Sequence, residues 1–195
     1  MKKVMFFTTI ISSVLLFLYA CNDAPKEAAA GVLSQDSLIR RGDYLVSTIG
    51  CDDCHTPKKM GAHGPEPDMD YRFAGYLANR PIGPIDSNAL KNGWLLFNMD
   101  ISAAVGPWGI SYSANLSSDA TGIGNWTESQ FIKAIRLGKI KGMEEGRSML
   151  PPMPWRNFAK LTDTDLRAMF AYFKSTKPIE NRVPAPKSMQ ELMAR

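Results

Sequence analysis

Three cysteines and two histidines are the scarcest reactive side chains of this 195-residue sequence, and three of the five stand together in Cys51-Asp52-Asp53-Cys54-His55. Two thiols three residues apart lie on one helical turn. From there both can reach the two vinyl groups on one edge of a porphyrin. A histidine directly after the second cysteine then points Nε2 at the iron. The spacing is that of covalent c-type haem attachment. Two other chemistries use the same residue types. A zinc site needs four ligands. Cys51, Cys54, His55 and His63 make up that number, but His55 beside Cys54 is a poor tetrahedral partner, and there is no second Cys-x-x-Cys. A thioredoxin-like redox pair needs a βαβ setting, and the flanks here read as a helix and an irregular loop. The expectation is one covalent haem c on Cys51 and Cys54, with His55 as an axial iron ligand.

The second axial ligand must come from elsewhere. Met149-Leu150-Pro151-Pro152-Met153-Pro154-Trp155 is the candidate segment. Proline-stiffened backbone holds a thioether in place without a helix, and Trp155 can wall off the haem face. His63 is the alternative, but it follows His55 so closely that it would have to cross from one haem face to the other.

Three helices can position these residues. The first spans about Leu38 to Ile49, capped by Ser37, with Leu38, Leu45 and Ile49 on one face and Tyr44 beside it. Gly42 inside it marks close contact with another helix. The second spans about Glu128 to Leu137. Thr127 and Gln130 form a capping box, and Gly138 stands at the stop. The third spans about Asp163 to Ser175, where Leu166, Met169, Phe170 and Phe173 recur at helical spacing. The stretch from His55 to Trp126 is rich in Gly and Pro and too irregular for long helices. Trp94 to Asn115 reads as a small β-hairpin or meander. From Pro178 the chain is expected to wrap the surface before a short helix.

The N-terminus reads as an export signal. Lys2 and Lys3 precede Val4 to Ala20, 17 residues without a charge. Leu18-Tyr19-Ala20-Cys21 resembles a bacterial lipobox, in which the cysteine is lipidated after cleavage. An uncleaved membrane anchor and plain secretion are the other readings, and each places the domain outside the cytoplasm. The expected organisation is a signal peptide over 1–20, a lipidated tether over 21–37, a folded domain over 38–186 and a tail over 187–195. The composition, 45% hydrophobic and 22% charged, suits a globular domain, and a formal charge of +4 without long basic runs argues against a nucleic-acid partner. Lys58, Lys59, Lys133, Arg136, Lys139, Lys141 and Arg147 read either as a cationic ring that steers an acidic partner or as ordinary solvated charges.

The order of helix, Cys-x-x-Cys-His, long excursion, Met-Pro loop and amphipathic C-terminal helix resembles the class I cytochromes c. Three blocks are similar, more narrowly, to the cytochrome c subunits of bacterial membrane-bound alcohol and sugar-acid dehydrogenases. They are Gly42–Leu45 leading into CDDCHTP, Ser113–Lys139, and Pro151–Pro186. Those subunits carry three haem motifs and this sequence has one; Arg72 to Ala104 matches poorly. The resemblance implies a mainly α class I cytochrome c fold with a long irregular insertion. It implies Met153, in Met153-Pro154-Trp155, as the second axial ligand, with Met149 lining the pocket. It also implies that the carbonyl of Pro65, in Gly64-Pro65, accepts from His55 Nδ1–H, where an ordinary turn is the alternative. The function expected is electron transfer rather than catalysis, between redox partner proteins, by a membrane-tethered protein on the periplasmic side. A relay subunit docked to a dehydrogenase, or a peroxidase or gas sensor with a displaceable Met, are the alternatives.

Overall fold

The computed structural model describes residues 33–194, so the leader, Cys21 and most of the expected tether lie outside the described residues. A compact unit begins at Gln35. Its frame is three helices: α1 (Gln35–Thr48), α4 (Glu128–Leu137) and α6 (Asp163–Ser175). The Thr127–Gln130 capping box forms in full and Gly138 closes α4 in the left-handed conformation, φ 61°. Thr162 Oγ1 accepts from Asp165 N to start α6. Leu45 and Val46, Phe131 and Ile135, and Leu166, Met169 and Phe173 meet in the main core. Gly42 is where α1 crosses α6, because a Cβ there would overlap the Ala168 carbonyl. Arg41 Nε donates to Asp165 Oδ1 at 2.6 Å beside the crossing. Tyr44 turns outward, 66% exposed, because the buried face of α1 runs through Gly42, Leu45 and Val46.

The excursion between the frame helices is built of short pieces. The haem-motif turn α2 is Cys51–His55, separated from α1 by Gly50 at φ 78°. An antiparallel hairpin follows, β1 (Lys58–Gly61) on β2 (Gly64–Pro67). After α3 (Ser87–Lys91) comes a three-stranded antiparallel meander: β3 (Leu96–Phe97), β4 (Ala103–Gly106) and β5 (Gly109–Tyr112). The meander falls within the stretch where the sequence predicts one. The first hairpin and α3 have no such signal, since neither KKMG nor GPEP alternates apolar with polar residues. A single turn, α5 (Trp155–Phe158), follows the Met-Pro loop. Beyond α6 the chain returns to the meander, where Ile110 and Lys187 exchange backbone hydrogen bonds of 2.8 and 3.3 Å, and ends in α7 (Met189–Met193). The described unit is thus helix-rich with small antiparallel sheets. No helix among the described residues is long and apolar enough to cross a membrane.

Candidate functional site

α2 places Cys51, Cys54 and His55 on one turn. Cys51 is buried, Cys54 half-buried, and neither forms a disulfide. Burial, reinforced by Asp52 and Asp53, pushes the Cys51 thiol up to about 12, and burial raises that of Cys54 as well. Neither is the activated thiolate that a redox dithiol or a nucleophile requires. His63 lies exposed in the turn between β1 and β2, and no cluster of three or more Cys, His, Asp or Glu suited to a metal ion occurs among the described residues. The zinc reading therefore has no geometry behind it.

His55 ends α2 and is 9% exposed. Its Nδ1 lies 2.8 Å from the carbonyl oxygen of Ala114. A carbonyl only accepts, so Nδ1 carries the proton and Nε2 keeps its lone pair. Nε2 has no hydrogen-bond partner among the described residues. Burial holds the ring below the ordinary histidine value, with the Ala114 bond opposing, so the neutral imidazole is favoured. This corrects the expectation for Pro65. Gly64-Pro65 is carried away in the first hairpin, where Pro65 faces Met60. The place beside the imidazole belongs to the segment that leaves β5.

That segment is held by a second layer. Gly75 N donates to His55 O at 2.8 Å, Tyr76 N to Ser113 O at 3.0 Å, and Leu116 N to Phe73 O at 2.8 Å. Residues 73–76 thus lie between the haem-motif turn and residues 113–116. Gly75 sits at φ 72°, and a Cβ there would overlap the carbonyls of Ser113 and Ala114. Phe73, at φ 65° and fully buried, packs edge-on against Phe173 with ring centroids 5.2 Å apart. Arg72 donates to both oxygens of Asp52, at 2.9 and 2.7 Å, and to Tyr172 Oη at 2.8 Å. Asp52 also accepts from Thr56 Oγ1 at 2.7 Å. Burial opposes its ionisation, yet Arg72 and Thr56 hold the carboxyl below its usual value.

Lys58 Nζ donates to the carbonyls of Asp52 and Thr56 at 3.2 and 2.9 Å, and so closes the C-terminal end of the turn. Lys59 lies 3.6 Å from Asp68, and Arg136 pairs with Asp163 at 2.6 Å. Several cations expected in a steering ring are therefore tied to partners within the fold.

Met149 and Met153 both pack, half-buried, against the core cluster that contains Cys51. Together with Pro151, Pro152, Pro154 and Trp155 they line a cavity of about 410 Å³. Trp155 packs on Gly138, which leaves room for the indole, and the Arg156 guanidinium lies 4.8 Å from its ring centre. The structure thus brings both thioethers to one wall without separating them. Ala114, Arg72 and Gly75 were not candidates in the sequence. A carbonyl has no sequence signature, and Ala114 is marked only by lying in the Ser113–Lys139 block.

No family model matches the sequence. Among curated proteins, it is 33% identical over 156 residues to the cytochrome c subunit of the quinone alcohol dehydrogenase of Gluconobacter oxydans (strain 621H), covering 78% of this chain and 24% of that subunit. It is 30% identical over 171 residues to the gluconate 2-dehydrogenase cytochrome c subunit of Pantoea cypripedii, and 30% over 152 residues to the fructose dehydrogenase cytochrome subunit of Gluconobacter japonicus. The chain is similar to dehydrogenase cytochrome c subunits. It spans only 30% and 23% of the length of the last two. For a chain with this cytochrome c similarity, the residues present fit a covalent haem. Two unpaired thiols flank one turn, a neutral imidazole has its proton fixed on Nδ1 by Ala114, and Nε2 is left with a lone pair and no hydrogen-bond partner among the described residues.

Proposed function

We propose that this protein is an exported, membrane-tethered cytochrome c with one haem, carrying single electrons between redox partner proteins and catalysing no reaction itself. Cys51 and Cys54 would hold the haem through thioethers, His55 Nε2 and Met153 sulfur would bind its iron, and Cys21 would carry the lipid. Haem c supplies a one-electron iron couple, whose potential a thioether ligand raises. The observation that carries the reading is the bond from His55 Nδ1 to Ala114 O at 2.8 Å. It fixes the ring, leaves Nε2 with a lone pair free for a metal and would make the imidazole a better donor. Arg72 holds the haem-motif turn against α6 through Asp52 and Tyr172. Trp155, half-buried and packed on Gly138, forms part of the wall beside Met153. The folded domain, of class I cytochrome c type, runs from α1, which begins at Gln35, to the tail that pairs with β5 at Lys187, and lies on the periplasmic side of the membrane.

A second reading makes the chain a haem relay docked to a dehydrogenase. The names of the relatives favour it, since each is a subunit of such an enzyme. Pull-down of a flavin- or quinone-dependent dehydrogenase with the chain separates a docked subunit from a free carrier.

The haem assignment is tested by a pyridine haemochrome spectrum with intact mass. One haem per chain, resistant to acid-acetone, is expected, and a mass equal to the bare polypeptide would overturn it. Met153→Ala should abolish the sulfur-to-iron charge-transfer band of the oxidised protein and open the iron to carbon monoxide. Met149→Ala should keep the band and cost about 2 kcal/mol in packing. The reverse pattern transfers the ligand to Met149, and a band that survives both removes sulfur ligation.

A further inference from the structure

β5 supplies none of the ligands read above, yet both sides of the site depend on it. Its last residue is Tyr112, and two residues on, Ala114 O accepts from His55 Nδ1. On the other side, Ser111 Oγ lies 2.6 Å from the carbonyl oxygen of Pro151. Ser111 is 9% exposed, so this hydroxyl is not a surface ornament. A hydroxyl has a single hydrogen. The alternative acceptor, Ala104 O in β4, is 3.4 Å away, so the proton goes to Pro151. Trp108 Nε1–H donates to the same oxygen at 3.2 Å. The serine thus accepts from the indole and spends its only proton on the Met-Pro loop.

Only Pro152 separates Pro151 from Met153. The Pro152 ring fixes its own φ, and Pro154 restricts the backbone of the residue before it, which is Met153. A constraint on the Pro151 carbonyl is therefore passed to the Met153 backbone with few free torsions between. Ile110, on the other side of Ser111, is bonded at both backbone groups to Lys187. Residues 110–114 are gripped from the outside edge and grip two ligand elements in turn.

We propose that Ser111 is a positioning residue for the distal thioether. Through Pro151 it holds Met153 on the iron, so that the insertion, which supplies no ligand, sets how readily the Met side opens. The proposal rests on the His55/Met153 reading above.

The test measures displacement of the distal ligand by imidazole in the oxidised holoprotein, followed by loss of the charge-transfer band. Ser111→Ala should bind imidazole roughly three- to tenfold more tightly than wild type, the scale of one buried hydrogen bond. Ser111→Thr, which keeps the hydroxyl, should restore wild-type affinity. Ser118→Ala is the structural control. It removes a comparable bond, from Ser118 Oγ to Thr176 O at 2.5 Å, remote in sequence from both ligand segments. It should lower thermal stability and leave imidazole affinity unchanged. In a Met153→Ala background, Ser111→Ala should have no further effect on imidazole binding.

If Ser111→Ala binds imidazole like wild type while Met153→Ala abolishes the band, the positioning role is wrong and the ligand reading stands. If the band survives Met153→Ala, the ligand reading itself fails. Equal gains in affinity in Ser111→Ala and Ser118→Ala would reduce Ser111 to general stability and overturn the proposal.

Discussion

The helical frame and the excursion between residues 56 and 126 solve different problems with different means. In α1, α4 and α6, side chains at helical spacing meet side chains, and the result is a core of Leu, Val, Ile, Met and Phe. In the excursion the decisive partners are backbone carbonyls: Ala114 O for His55, Ser113 O for Tyr76, Pro151 O for Ser111. The frame supplies most of the main core, which Phe73 and Ile123 of the excursion join, and the excursion places the carbonyl that orients His55. Damage to the first should be read in unfolding curves, and damage to the second in spectra.

Two glycines put this to the sharpest test. Gly42→Ala and Gly75→Ala would each drive a Cβ into backbone carbonyls, at Ala168 in the first case and at Ser113 and Ala114 in the second. Each should cost about 3 kcal/mol in urea unfolding of the holoprotein. Gly42→Ala should keep the charge-transfer band in whatever protein remains folded. Gly75→Ala should disturb the haem spectrum, because the displaced carbonyl is the one that orients His55. Identical spectra from the two would erase the distinction.

Arg72→Met lies on the boundary between the regions. It removes the fork onto Asp52, whose side chain is 21% exposed, and should cost about 2 kcal/mol, read by urea unfolding. Because Asp52 belongs to the haem-motif turn, the reduction potential should shift with it. An unchanged potential would assign Arg72 to the frame alone.

A smaller effect, confined to the frame, is expected at Asp165. Burial opposes its ionisation, but Thr162 and Arg41 hold its carboxyl below the ordinary value near 4. The ionised form is therefore favoured in the folded state. Its contribution is complete above the unfolded value and is lost as pH falls through the folded one. Asp165→Asn should be less stable than wild type at pH 7, and the two should converge as the pH falls through the lowered folded value of Asp165. Parallel curves over that range would deny the linkage. Thr127→Ala, which removes half of the α4 capping box, should lower stability by about 1 kcal/mol at every pH without spectral change.

The same division explains what could be read in advance. α4 and α6 run over the residues their caps and stripes predict, because Thr127, Gln130, Gly138 and Thr162 act on their own neighbours in sequence. That Cys51, Cys54 and His55 share one turn was equally legible, since they lie within five residues. The His55–Ala114 bond joins positions 59 apart through a carbonyl that any residue could supply. Gly64-Pro65 offered a nearer carbonyl, and only the fold of the first hairpin excludes it. Phe73 was hidden for a similar reason. Its positive φ comes from what surrounds it, and nothing in RFAGY signals it.

The return of the chain to β5 has a consequence for self-association. A three-stranded sheet has two open edges, and each is a template for pairing with another molecule. Here β3 is only two residues long, and beside β5 the strand position is taken at Ile110 by Lys187, held so close that Gly109 has no room for a side chain. Residues 187–194 therefore act as an edge guard. Removing them would uncover the backbone N–H and C=O of Ile110 next to Ser111. That leaves an adhesive strand on the element bonded to both the His55 turn and the Met-Pro loop, so that aggregation and loosening of these two segments would begin at the same place.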